Sequence, residues 1–136
     1  MASFTTSAIV LRRIDYGDFD LILTMLTPSR GKLTVMAKAA KRSKKRFGGI
    51  LELFSDLEIV CSSGRSKGLL LLNEASLRCP YFNIRADIKK TAYASYWAEL
   101  INHWVEEGQE QVALYTLLRY VLQELDQGKP NDDDER

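Results

Sequence analysis

The chain has 136 residues, 46% hydrophobic and 27% charged, with a net charge of +1. That is the size and balance of one globular domain, or one domain with an appendage, and it excludes disordered, collagen-like and coiled-coil classes. No apolar run approaches the roughly 18–20 residues of a membrane span, and the N-terminus lacks a basic region followed by an apolar stretch. Cys61 and Cys79 form no C-x-x-C pair, so neither a disulfide framework nor a cysteine-rich metal site is expected. These features imply a reduced, cytoplasmic protein with no membrane contact.

The near-zero net charge hides a strong asymmetry. Residues 1–50 carry a net charge of +7, residues 51–100 a net of 0, and residues 101–136 a net of −6. Six cations, Lys38, Lys41, Arg42, Lys44, Lys45 and Arg46, fall within nine residues. A basic cluster on a chain whose net charge is near zero points to nucleic acid or another anionic surface.

The first eighty residues read as strands. Ser7–Ile14 is an apolar run ending in Arg12 and Arg13, which point to opposite faces, so at most one of them faces an anionic ligand. Leu21, Leu23 and Met25 alternate with Ile22 and Thr24; Leu33, Val35 and Ala37 alternate with Lys32, Thr34 and Lys38. Pro28-Ser29-Arg30-Gly31 between them predicts an antiparallel hairpin. A fourth strand puts Leu53, Leu57, Ile59 and Cys61 on one face and Glu52, Asp56 and Glu58 on the other. Ser62–Gly68 is a small-residue loop carrying Arg65 and Lys67, and Leu69–Leu72 begins a fifth strand. Five such strands suggest a small sandwich or barrel over residues 1–80.

After Pro80 the period lengthens. Ile84, Ile88, Ala92, Tyr96, Leu100 and Trp104 recur every four residues, with Asn83 or Asp87 as candidate caps and Gly108 as a stop. A second helix places Val112, Tyr115, Leu118, Val121, Leu122 and Leu125 on one stripe, so residues 81–128 predict an antiparallel helical hairpin. Tyr93, Tyr96, Trp97, Trp104, Tyr115 and Tyr120 are assigned to its packing, with Trp97, Ile101 and Tyr120 off the main seam in an apolar patch. Residues 129–136 form a polar tail, expected to fray.

Several segments in order carry a family pattern: Ala8-Ile9-Val10-Leu11, Asp15-Tyr16-Gly17-Asp18, Gly31-Lys32-Leu33, Ala37-Lys38 running into Phe47-Gly48-Gly49, Leu51-Glu52-Leu53-Phe54 and Glu74-Ala75. On these residues the chain resembles the N-terminal part of the RecO family, bacterial DNA repair and recombination mediators. The resemblance implies a five-stranded OB-fold barrel followed by an α-helical region. It also implies binding of single- and double-stranded DNA, strand annealing, and RecA loading with RecR and single-strand-binding protein, in the cytoplasm at the nucleoid. This chain has Lys38-Ala39 where the family usually has Lys-Gly. The family pattern continues well past this length, often with a four-cysteine zinc site, so a fragment or a shortened relative is expected.

In an OB-fold the basic run links the third strand to the fourth, beside the binding face. Lys38, Lys41, Arg42, Lys44, Lys45 and Arg46, with Lys32 on the third strand, are the candidate phosphate contacts, and Phe47 is the candidate base-stacking residue. The loop between strands four and five adds Arg65 and Lys67. Asp15, Asp18 and Asp20 in the first loop repel phosphate and are read as turn residues. Catalysis is not expected: His103 is the only histidine and is read as a half-buried packing residue, and no nucleophile and base pair up. Gly48-Gly49 and Gly64-x-x-x-Gly68 lack the Lys-Ser/Thr of a phosphate loop, and no zinc site or cofactor is expected. The function expected is non-catalytic DNA binding in recombinational repair. The alternatives are an interaction scaffold using the helices, including self-association, and an RNA-binding OB protein.

Overall fold

A computed structural model describes residues 3–42, 47–64 and 68–128. The polar tail and five candidate contacts, Lys44, Lys45, Arg46, Arg65 and Lys67, lie outside the described residues. Five strands come first: β1 (Ser3–Tyr16), β2 (Asp20–Thr27), β3 (Gly31–Ala37), β4 (Asp56–Ser63) and β5 (Leu70–Cys79). They close into a barrel in the order β1-β2-β3-β5-β4, with β3 and β5 parallel and every other pairing antiparallel. This is the OB-fold expected from the sequence.

β1 makes closure possible because it is long enough to serve two neighbours. Its first half pairs with β4, from Ser3↔Ser62 to Ile9↔Asp56, and its second half with β2, from Ile9↔Leu26 to Tyr16↔Asp20. A bulge between Val10 and Arg12 bends the strand where it changes partner, as bulges do at barrel corners. The β2–β3 hairpin forms as predicted; the Thr27 hydroxyl donates to the Gly31 carbonyl across the turn. Leu21, Leu23, Met25, Leu33, Val35, Leu57, Ile59 and Cys61 fill the barrel, the inward set that the period of two predicts. Burial pushes the Cys61 thiol up to about 11.

The remainder is α1 (Phe82–Arg85), α2 (Ile88–Trp104) and α3 (Val112–Gln127). Asp87, one of the two predicted caps, accepts from the Lys89 and Lys90 backbone N–H groups at the start of α2. Lys90 is buried, and its Nζ donates to the Asp126 and Gly128 carbonyls, closing the C-terminus of α3. The first half of α2 therefore lies beside the end of α3, as an antiparallel pair requires.

The packing face of α2 differs from the predicted stripe. Ala94, Ala98 and Ile101 are buried, whereas Ile88 is 87% and Trp104 75% exposed. Steps of four residues drift about 40° each around a helix, so the predicted stripe wraps off any single face. The barrel selects the side that lets α2 approach Ile9, Leu11 and Leu26 closely, which favours alanines. Of the six aromatics assigned to packing, Tyr115 alone is buried; Trp97 is half-buried, and Tyr93, Tyr96, Trp104 and Tyr120 face solvent. Ile101 is buried in the seam, and with Trp97 it lines an open apolar groove of about 430 Å³ that continues over Leu100, Trp104, Leu114 and Leu117; Tyr120, the third residue expected in the patch, does not line it. His103 is exposed, with its ring edge-on to Trp104.

α3 keeps most of its predicted stripe: Tyr115, Leu118 and Leu122 are buried and Val121 and Leu125 half-buried, while Val112 is exposed in the first turn. Asp56, predicted on a wet face, is buried beneath it. The Tyr115 hydroxyl donates to Asp56 Oδ1 at 3.3 Å, and Arg119 Nε lies 3.2 Å from Oδ2. The reason is that β4 starts between the barrel interior and α3, so both of its faces are covered there. Burial raises the Asp56 carboxyl above its ordinary value, against the opposing pull of Arg119. A final tie is the α2–α3 connector, which lies against Gly31. At φ +67°, a Cβ on Gly31 would sit 1.9 Å from the Gln109 carbonyl oxygen.

Candidate nucleic-acid interface

The turn from β1 to β2 and the start of the basic segment are built as one unit. Gly17 takes φ +68° at the turn, a conformation that glycine accepts at little cost. The Lys41 backbone N–H donates to the Phe19 carbonyl at 3.0 Å, and the Ala39 N–H donates to Asp20 Oδ1 at 2.6 Å. Lys41 Nζ lies 3.2 Å from Asp15 Oδ1, and the Arg42 guanidinium sits 4.2 Å over the Phe19 ring. Asp15 and Asp20, at the strand ends on either side of the turn, thus tether the basic segment. Ala39 has φ 56°, the left-handed backbone that a glycine adopts without strain.

The candidate contacts separate into distinct settings. Lys38, Lys41 and Arg42 are exposed at the end of β3 and just beyond it. Lys32 is turned toward the helices: its Nζ donates to the Asn102 carbonyl at 2.7 Å, joining β3 to α2. Phe47 is a correction. It is 2% exposed and packs in the barrel core with Leu21 and Leu51, so it has no face to offer a base. The link from β3 to β4 must close the end of the barrel, and Phe47 and Leu51 fold inward to do so. Arg13 holds that link in place, its Nε donating to the Leu51 carbonyl at 2.7 Å, while Arg12 lies on the opposite, outer face.

What the sequence reading missed is the character of the first turn. Tyr16 and Phe19 flank Gly17-Asp18 and are 54% and 44% exposed. An aromatic on each side of Gly17-Asp18 was the available signal, hidden by the acidic residues around it.

A barrel of this strand order, with a basic segment braced against its first turn, suits an oligonucleotide partner. Comparison with known proteins decides the family. The family model described as Recombination protein O N terminal matches residues 1–81, and that described as Recombination protein O C terminal matches residues 85–135. The chain belongs to the RecO family. The DNA repair protein RecO of Desulfosudis oleivorans is 49% identical over 136 residues, covering 98% of this chain and 52% of the relative. The RecO of Desulfatibacillum aliphaticivorans is 51% identical over 134 residues, with the same coverage. That of Geobacter metallireducens is 38% identical and covers 100% of this chain and 55% of its own length. The chain spans about half the length of the curated RecO relatives that it matches. Among the described residues, no helix is long and apolar enough to cross a membrane.

Proposed function

We propose that this chain binds single- and double-stranded DNA without catalysing a reaction, promotes annealing, and supports RecA loading in recombinational repair at the nucleoid. The observation that carries the reading is the bracing of Ala39, Lys41 and Arg42 against the β1–β2 turn of an OB barrel, with Lys38 exposed beside them. Annealing follows physically from cations that lower the repulsion between two phosphate backbones. In this reading residues 1–80 take the DNA, with Lys44, Lys45, Arg46, Arg65 and Lys67 adding to the described cations. Residues 81–128 serve partners, namely RecR, RecA and single-strand-binding protein by family resemblance. The exposed groove between α2 and α3 favours, as a second reading, self-association through the helical half.

If the basic segment engages four to six phosphates of a single strand, log K falls with log salt at a slope of about −3 to −4. Changing Lys41, Arg42, Lys44 and Lys45 together to Glu abolishes oligonucleotide binding and leaves the circular dichroism spectrum unchanged. A flat salt response, or affinity that survives the four changes, refutes the DNA reading. Tighter binding to RNA than to DNA of the same sequence replaces it with an RNA-binding one.

A further inference from the structure

The outer face of β1–β2–β3 divides into a covered half and an open half. Register places Ile9 beside Leu26 and Lys32, then Arg12 beside Thr24 and Thr34, then Ile14 beside Ile22 and Met36. Directly opposed residues share one face of a sheet, so these are successive rows. The first row is covered: Ile9 and Leu26 pack beneath the helices, and Lys32 reaches Asn102. The connector reaches the second, where the Thr34 hydroxyl donates to Glu107.

The third row stays open. Ile14 is 43% exposed, and Ile22 and Met36 are half-buried. None of the three belongs to either hydrophobic core. Beyond them stand Tyr16, at the end of β1, and Phe19 in the turn. An apolar row on an outward sheet face, ending in two exposed aromatics, has no role in holding this barrel together.

Its rim is cationic. Arg12 is exposed in the neighbouring row, Lys38 is exposed at the end of β3, and Arg42 lies over Phe19. Of the nearby carboxylates, Asp15 is paired with Lys41, while Asp20, which accepts from the neutral Ala39 N–H, and Asp18 at the tip keep their charge against Arg12, Lys38 and Arg42. Apolar and aromatic surface beside fixed cations matches the two-sided chemistry of a single nucleic-acid strand, whose bases present π faces and whose backbone is anionic. A duplex keeps its bases stacked on one another and can use the cations alone.

We propose that Tyr16 and Phe19, continued by Ile14, Ile22 and Met36, form a base-stacking surface for single-stranded nucleic acid. The inference rests on the nucleic-acid reading of the basic segment and adds to it a preference for single strands. It also relocates the stacking role from Phe47 to the first turn.

The test measures binding of the chain to a fluorescent oligodeoxythymidine and to a blunt duplex of equal length, across a salt series. Tyr16→Ala and Phe19→Ala should each weaken single-strand binding about tenfold, the scale of one lost base–aromatic stack. For Tyr16→Ala the salt slope should not change, and duplex affinity should stay within about twofold of the parent; Phe19→Ala also removes the ring under Arg42, so the single-strand selectivity is read on Tyr16→Ala. Tyr16→Phe should bind like the parent, and Phe19→Leu, which keeps apolar volume without a ring, should lose affinity like Phe19→Ala. Both rings are exposed, so unchanged melting temperatures should confirm intact folds. Single-strand affinity of the double alanine variant within twofold of the parent overturns the proposal while leaving the DNA reading standing. Equal losses of Tyr16→Ala on single strand and duplex also overturn it. A parent chain that binds neither probe removes the underlying reading, and this one with it.

Discussion

In the barrel, five strands turn their apolar side chains onto one interior, and Phe47 and Leu51 enter from the β3–β4 link to close its end. In the helical half, α2 and α3 bury one side each against Ile9, Leu11 and Leu26 and leave the other side, including Trp104 and Leu117, in solvent. A closed sheet covers its own hydrophobic surface, so little of the barrel depends on what lies outside it. Helices can only borrow a surface, and here that surface is the outer face of β1 and β2. The join is reinforced by specific polar contacts: Asp56 with Tyr115 and Arg119, Lys90 at the end of α3, and Arg85 on the Leu53 and Pro80 carbonyls. Stability should therefore be concentrated in the barrel, and sensitivity to charge and pH at the join.

The largest expected effect tests the barrel side. Phe47→Ala empties the plug of the barrel and should cost about 3–5 kcal/mol by urea denaturation. Under conditions where the variant stays folded, its DNA affinity should match that of the parent. A cost below about 1 kcal/mol, or a selective loss of binding, would mean that Phe47 is a contact residue after all.

An intermediate effect is expected at the join. Arg119→Met leaves a buried carboxylate without its cation; because the Arg119 side chain is itself about half exposed, the expected cost is about 1–2 kcal/mol. The pH dependence gives the sharper signature. The Asp56 carboxyl is raised above its ordinary 3.8, so the native state keeps that proton to higher pH than the unfolded chain does. The contribution of Asp56 is thus fully present below that value and is lost as pH rises through the native one. Arg119→Met raises the native value further and should carry the decline to higher pH, whereas Asp56→Asn should remove it. Urea midpoints across acidic pH that do not differ among the three proteins would dissociate Asp56 from the join.

The smallest effect on stability is expected on the outer helical face. Trp104→Ser with Leu117→Ser should change the melting free energy by no more than about 0.5 kcal/mol. The same pair should lower hydrophobic-dye binding and any concentration-dependent sedimentation. A large destabilisation would place these residues in the core.

Much of this architecture was legible in the sequence because alternation within a strand and turn chemistry are local. Leu21, Leu23 and Met25 point inward for the same reason that Ile22 and Thr24 do not, and Pro28 to Gly31 turns the chain whatever surrounds it. The order of short motifs was enough to indicate the barrel and the family, and the basic run marked where to look for the interface. Other assignments depended on what a second segment brings. Only folding decides that the barrel approaches α2 along Ala94 and Ala98, that α3 covers Asp56, and that Lys90 meets the end of α3. Only folding sends Phe47 inward while Tyr16 and Phe19 stay out. A side chain's period follows from its own backbone, but its burial is a property of the neighbour across the gap, often tens of residues away in the chain.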